Sequence, residues 1–183
     1  MPEKRSRESF VGFSKMSKPT GHAAGIVGSR LIDRRPILKA MLNPKVIALV
    51  GATATPDSVG RALMENLASF GGVIYPINPK QSSVLGVEAF PNIGAVPNPV
   101  DLAIIATPAV TVPLVVKECA EAGVKGAVII STGFRECGPE GRKLEEAIVS
   151  SRGKMRLIGP NCLEVISRAR FERHFFEKNG APG

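Results

Sequence analysis

Three short segments carry residue types that can grip a charged ligand: Val46-Ile47-Ala48-Leu49-Val50-Gly51-Ala52-Thr53, then Asp57-Ser58-Val59-Gly60, then Asn78-Pro79-Lys80. A continuous apolar run rich in β-branched residues and ending in Gly is the pattern of a buried parallel strand that feeds a phosphate loop. Backbone amides at the start of the next helix then point at whatever anion lies there. A second apolar run, Val73-Ile74-Tyr75-Pro76-Ile77, ends where a bound ribose would fall. Dinucleotide binders of the common kind place Asp or Glu at that point to hold the ribose hydroxyls. Here Asn78, Pro79 and Lys80 stand there instead. A cation in place of the carboxylate favours a ligand with extra phosphate, such as coenzyme A or NADP, over NAD.

The elements that must position these residues follow an α/β rhythm. Apolar runs predict strands near 46–52, 73–77, 101–107, 126–132 and 155–159, and helical periodicity falls near 58–70, 110–122 and 139–152. The expected fold is Rossmann-like α/β, a parallel five-stranded sheet with helices on both faces. Right-handed crossovers favour the strand order 3-2-1-4-5, with the ligand crevice above the carboxyl ends of strands one and four. Asp57 or Ser58 can cap the first of these helices, whose apolar positions Val59, Leu63, Leu67 and Phe70 should face the sheet. Gly71-Gly72 then stops it. A short helical turn, Ile37 to Leu42, precedes the first strand and is closed by Asn43-Pro44. Between the second and third strands, Ser82 to Pro99 reads as a long loop with at most one short helical piece, and its length points to a functional role.

Four turns fall at strand carboxyl ends: Gly51-Ala52-Thr53, Thr107-Pro108-Ala109, Ser131-Thr132-Gly133-Phe134 and Gly159-Pro160-Asn161-Cys162. Small residues and prolines make the tight turns that any such fold needs. Four turns that offer amides and hydroxyls but few charges, all on one edge, point to a site. Cys162 would lie at the crevice mouth, as a reactive thiol or as an inert buried one. Glu136 either positions a partner's loop or is a solvated carboxylate.

Composition narrows the function further. With 183 residues the chain has room for one full α/β domain plus tails. One Tyr, eight Phe and no Trp leave little to stack on bases, so nucleic acid is not an expected partner. Much of the net charge of +8 lies at the ends, in Lys4, Arg5, Arg7, Lys15 and Lys18 and again in Arg168, Arg170, Arg173 and Lys178, where basic runs are ordinarily solvated. Residues 1–34 read as a basic, flexible arm, 35–167 as the domain and 168–183 as a tail. Cys119, Cys137 and Cys162 form no Cys-x-x-Cys pair, which supports neither a disulfide framework nor a metal site and fits a reducing compartment. No run approaches the ~20 apolar residues of a membrane span and no signal peptide is evident, so a cytoplasmic protein is expected.

Residues from about Pro36 to Ser167 resemble the CoA-binding domain of NDP-forming acyl-CoA synthetases. That family includes ADP-forming acetate-CoA ligase and the α subunit of succinyl-CoA synthetase. The resemblance rests on Ala48 to Thr53, Ser58-Val59-Gly60, Tyr75 to Lys80, Val84-Leu85-Gly86-Val87, Pro99 to Ala103, Ser131 to Glu136 and Leu157 to Leu163, in this order and spacing. It implies that Gly51, Ala52, Thr53, Ser58, Val59 and Gly60 hold the pyrophosphate region of coenzyme A. Asn78, Pro79 and Lys80 would contact its nucleotide half, and Thr107 with Pro108 would border the pantetheine arm. Ser131, Gly133, Asn161 and Cys162 complete the expected coenzyme A or acyl-CoA site, with no metal. Family enzymes form an acyl phosphate, pass its phosphoryl group through a histidine to a nucleoside diphosphate, and join the acyl group to the CoA thiol.

That histidine belongs to a later domain, and His22 and His174 fall outside every matched motif, so no catalytic residue is expected in this chain. The partners implied are an ATP-grasp subunit or the remaining ligase domains, and the tail resembles the linker that precedes the family's next domain. Family members usually carry Gly after the Cys-Leu pair, where this chain has Glu164. Two other readings stand beside the ligase. An NAD(P)-binding oxidoreductase would need a substrate domain and a hydride-transfer residue. A non-catalytic sensor of CoA or nucleotide would bind a partner in response to ligand.

Overall fold

A continuous apolar strand can be buried on both faces only inside a sheet covered by helices, and β1 (Val46–Val50) is such a strand. Its Ile47, Ala48 and Leu49 are fully buried. The computed structural model describes residues 35–162. The arm, Glu164, both histidines and the tail lie outside the described residues. Within them, β1 is joined by β2 (Val73–Ile77), β5 (Leu102–Ile105), β6 (Gly126–Ile129) and β7 (Arg156–Ile158) in one parallel sheet.

The sheet order is β2-β1-β5-β6-β7. Counting only its five strands along the chain, this is 2-1-3-4-5 and not the expected 3-2-1-4-5. Pro76 supplies the physical reason. The Val73 amide and the Ile77 carbonyl bond toward the β1 side, to the Lys45 carbonyl and the Gly51 amide, while the Pro76 carbonyl faces the other way and accepts from the Phe90 amide. A strand on that outer side would find no N–H at Pro76, so β2 belongs at an edge. The chain therefore crosses over β1 before entering β5. The point where strand order reverses lies between β1 and β5, and the crevice moves there from its expected place above strands one and four.

The crossover from β2 to β5 contains more structure than a plain loop. It forms a two-strand antiparallel hairpin, β3 (Ser83–Val84) with β4 (Val87–Glu88), and a single 3-10 turn at Ile93–Ala95. Val84 is fully buried against the α2 face of the sheet and anchors the hairpin.

Helices cover both faces, as expected. On one side α3 (Val112–Glu121) and α4 (Pro139–Ser151) bury Val112, Val116, Cys119 and Ile148 against Ala48, Ala103, Ile105 and Ile129. On the other, α1 (Arg35–Leu42) and α2 (Val59–Leu67) bury Met41, Leu63, Met64 and Leu67 against Ile47, Leu49 and Ile104. Ser58, not Asp57, caps α2, its hydroxyl accepting from the Arg61 amide. Val59 does not face the sheet: it is 55% exposed. The helical stripe that meets the sheet runs through Gly60, Leu63, Met64 and Leu67, one position away from the expected register at its start.

Asp101 ties the third strand of the sheet to the first. Its carboxylate accepts from the amides of Lys45 (2.9 Å) and Val46 (3.2 Å) and pairs with the Lys125 ammonium. Burial alone would raise its pKa, but the hydrogen bond from Lys125 and those from Lys45 and Val46 outweigh it and hold the carboxyl below its ordinary 3.8. A depressed carboxylate stabilises the fold fully above its unfolded pKa, and the contribution is lost as pH falls through the folded value. Asp101→Ala is therefore expected to cost about 1–3 kcal/mol at neutral pH. In urea unfolding the gap from the parent protein should narrow below about pH 4. A gap unchanged from neutral to strongly acid solution would contradict this account of Asp101.

Candidate functional site

The carboxyl ends of β1, β5, β6 and β7 meet along one edge, linked each to the next by close backbone approach. Gly51 has a φ of 95°, and a Cβ there would lie 2.5 Å from the Ala106 carbonyl oxygen and 3.2 Å from Thr107 Cγ2. A Cβ on Gly60, in the first turn of α2, would lie 2.0 Å from the Gly51 carbonyl oxygen. These two glycines let α2 close onto the end of β1, so that its first-turn amides, which have no acceptor within the helix, overhang the loop between them.

Beyond the switch point, along the ends of β5, β6 and β7, the Ser131 hydroxyl donates to the Thr107 carbonyl at 2.6 Å, and the Asn161 amide donates to the Ser131 carbonyl at 3.0 Å. The Cys162 amide donates to the Ile129 carbonyl at 3.2 Å, and Gly133 (φ 100°) lies against Ala109. Gly51, Gly60, Thr107, Ser131, Asn161 and Cys162 thus form one continuous rim. The Thr107 hydroxyl oxygen is buried there with no hydrogen-bond partner among the described residues, an orphan of the kind a ligand or water satisfies.

An anion site needs N–H groups open to the ligand and C=O groups occupied elsewhere, and in the loop after β1 the C=O groups of Ala52, Ala54 and Thr55 are occupied by side-chain donors. Asn78 donates its side-chain amide to the Ala52 carbonyl at 2.8 Å. The Ser58 hydroxyl donates to the Thr55 carbonyl at 2.7 Å, and the Arg61 guanidinium donates to the Ala54 carbonyl at 2.9 Å. The Thr53 hydroxyl accepts from the Thr55 amide at 3.2 Å and bonds the Thr55 hydroxyl at 2.9 Å. Three carbonyls are therefore held by side chains.

This changes the roles of two residues singled out by sequence. The side chains of Ser58 and Asn78 are engaged within the loop, so what Ser58 offers a ligand is its backbone amide. Ala52 is fully buried in the core and contributes no side chain to the edge. Arg61 was missed, because in sequence it is one more polar position on an amphipathic helix.

Asn78 also accepts the Lys80 amide at 2.8 Å on its side-chain oxygen. That turn holds Pro79 and Lys80 exposed past the end of β2, and the Lys80 ammonium has no ion pair among the described residues. Pro108 is exposed at the rim and its carbonyl accepts from the Thr111 amide and hydroxyl. Glu136 folds back onto its own turn: its carboxylate accepts from the Gly133 amide at 2.7 Å. That bond, with those from its own amide and that of Phe134, holds its pKa below the usual carboxylate range.

The cysteines differ sharply in setting. Cys119 is buried, and burial followed by the nearby Glu118 charge pushes its thiol up to about 12, whereas Cys137 is exposed and Cys162 is half-buried on the rim. Among the described residues no three His, Cys, Asp or Glu side chains gather as a metal site, and no helix is long and apolar enough to cross a membrane. A shallow groove also runs along the outer side of α2, lined by Pro56, Asp57, Ser58, Val59, Arg61 and Glu65. It shares Ser58 and Val59 with the start of α2; beyond them Asp57 adds negative charge and Arg61 is paired with Glu65, so the rim above the sheet is the better candidate.

A parallel sheet whose switch point carries a glycine-closed loop at a helix N-terminus defines a nucleotide-binding domain of the Rossmann-like class. Comparison with known proteins narrows the class: the chain belongs to the family described as CoA binding domain, whose model matches residues 45–168. It is 43% identical over 148 residues to the ADP-forming acetate–CoA ligase I of Archaeoglobus fulgidus, covering 77% of this chain and 22% of that protein. Identity to the α subunit of the ADP-forming acetate–CoA ligase I of Pyrococcus furiosus is 39% over 155 residues, covering 80% of this chain and 34% of the subunit. Among solved structures, the apo form of the dinucleotide-forming acetyl-coenzyme A synthetase 1 of Ca. Korarchaeum cryptofilum matches with a TM-score of 0.66 and 39% identity, over 69% of this chain and 28% of that one. The chain spans about a fifth to a third of the length of these relatives.

Proposed function

We propose that this chain binds coenzyme A at the carboxyl edge of its sheet, as the CoA-binding part of an ADP-forming acid–CoA ligase acting in the cytoplasm. The observation that carries the reading is the end of β2. Where an NAD site would hold a carboxylate, Asn78 is bonded to the Ala52 carbonyl and the Lys80 amide, and the exposed Lys80 ammonium has no ion pair among the described residues. In this reading the amides of Ser58, Val59 and Gly60 take the pyrophosphate, with Gly51 and Thr53 shaping the loop beneath it. Lys80, beside Asn78 and Pro79, meets the nucleotide-end phosphate. Thr107 and Pro108 border the pantetheine arm, with Ser131, Gly133, Asn161 and Cys162 beyond them.

The chemistry that makes the thioester belongs to other ligase domains or to an ATP-grasp subunit. This chain would supply a held and oriented CoA, and no described residue is assigned a catalytic role.

A melting-temperature panel with CoA, acetyl-CoA, NADP and NAD tests the proposal. A ligand bound only by the folded state at a hundred times its Kd adds about 2.7 kcal/mol, roughly 5–10 °C for a domain of this size. CoA is expected to give a shift of that order and NAD little. A larger shift with NAD than with CoA would overturn the reading.

A further inference from the structure

Resting on the CoA reading, we infer that Arg61 is the positioning residue of the phosphate loop, acting by holding the Ala54 carbonyl away from the ligand and not by touching the ligand itself. Its guanidinium joins two places. One terminal nitrogen donates to the Ala54 carbonyl at 2.9 Å, seven residues back, in the middle of the loop. The inner nitrogen donates to Glu65 at 2.7 Å, one turn further along α2. The backbone amide of the same residue donates to the Ser58 hydroxyl, which in turn donates to the Thr55 carbonyl. One residue therefore ties the first two turns of α2 to the successive carbonyls of Ala54 and Thr55.

The planar, forked guanidinium suits this task because it donates in two fixed directions at once, which a lysine ammonium on a flexible stem does not do. Glu65 fixes the fork and offsets its charge. A direct phosphate ligand would be better placed without a carboxylate at 2.7 Å, and this is what separates a positioning role from a contact. The Ala54 carbonyl matters because it lies in a loop whose neighbours at Ala52 and Thr55 are also held by side-chain donors. Freed, it can turn its negative end toward the pyrophosphate, where it repels the ligand and rotates adjacent amides out of reach.

The test compares the parent protein with Arg61→Ala and Arg61→Lys, titrated calorimetrically with CoA and with 3′-dephospho-CoA at low and high salt. Hydrogen exchange of the ligand-free proteins is measured alongside. Arg61→Ala is expected to weaken both ligands by the same factor, ten- to a hundredfold, with that factor unchanged by salt. Arg61→Lys should recover part of the loss, since a single donor can still reach the Ala54 carbonyl. In the ligand-free state, exchange at the Thr55 amide should quicken in Arg61→Ala while amides of β1 and β5 keep their protection. Equal affinities across the three proteins would overturn the inference, as would a loss that shrinks with salt, the mark of a direct phosphate contact, whether it falls on both ligands alike, as for the shared pyrophosphate, or on CoA more than on dephospho-CoA, as for the 3′-phosphate. If the parent fails to bind CoA, the proposed function falls, and unchanged Thr55 exchange would then separately overturn the role of Arg61 in the loop.

Discussion

Gly60→Ala is expected to cost the domain about 2–4 kcal/mol and to weaken CoA roughly a hundredfold or more. The added carbon would lie 2.0 Å from the Gly51 carbonyl oxygen and 3.2 Å from Thr53 Cγ2. The first contact is with backbone and cannot be relieved by a rotamer change, so α2 or the loop after β1 must move by more than an ångström. That displacement carries the first-turn amides of α2 away from the anion they are proposed to hold, which is why binding should fall more than stability alone explains. Gly71→Ala is the matched control. A carbon there meets nothing within 4 Å, so its effect should stay within about 0.5 kcal/mol and leave CoA affinity unchanged. Parallel urea unfolding and CoA titration of the two variants check this, and a Gly60→Ala protein that binds CoA as well as Gly71→Ala would refute the glycine closure.

The second large effect is expected at Lys80. A charge-assisted hydrogen bond is typically worth about 1.5–3 kcal/mol, so Lys80→Ala should weaken CoA roughly ten- to a hundredfold, and Lys80→Glu more. The side chain is exposed, so added salt should weaken binding to the parent protein more than to Lys80→Ala and narrow the gap between them. Calorimetric titrations at two salt concentrations measure both quantities. Equal affinities under every condition would return Lys80 to the solvated surface and remove the main distinction from an NAD site. Lys80 and Arg61 are thereby told apart, because salt should change the effect of the first and not that of the second.

Much of this architecture was legible in the sequence because strand burial leaves a direct trace. Val46 to Val50, Leu102 to Ile105 and Gly126 to Ile129 are short apolar runs between turn residues, and each is a strand of the sheet. The strand order differs from the expected one although a signal was present: Pro76, inside a good strand pattern, marks an edge strand, because its missing N–H removes a ladder bond on the outer side, where the structure has an isolated bridge to Phe90. The β3–β4 hairpin escaped notice because two-residue strands are too short to show alternation. Its turn instead places Leu85 and Gly86 at φ of 49° and 80°.

At the site, residue types identified the edge but not the direction in which side chains point. Ser58 and Asn78 are where the pattern put them, yet both bond inward to loop carbonyls. Arg61 gave no signal, since its partner at Ala54 lies seven residues away and is a backbone atom. Roles of this kind depend on carbonyl orientation, which residue identity does not encode.

In the proposed complex, CoA lies across the rim with its pyrophosphate over the start of α2. A crystal structure of the chain grown with CoA is the decisive measurement. Pyrophosphate oxygens are expected within hydrogen-bond distance of the amides of Ser58, Val59 and Gly60, with the Lys80 ammonium on a phosphate and the pantetheine arm running past Thr107 toward Ser131 and Asn161. A CoA molecule seated elsewhere, or one that leaves those three amides to water, would contradict it.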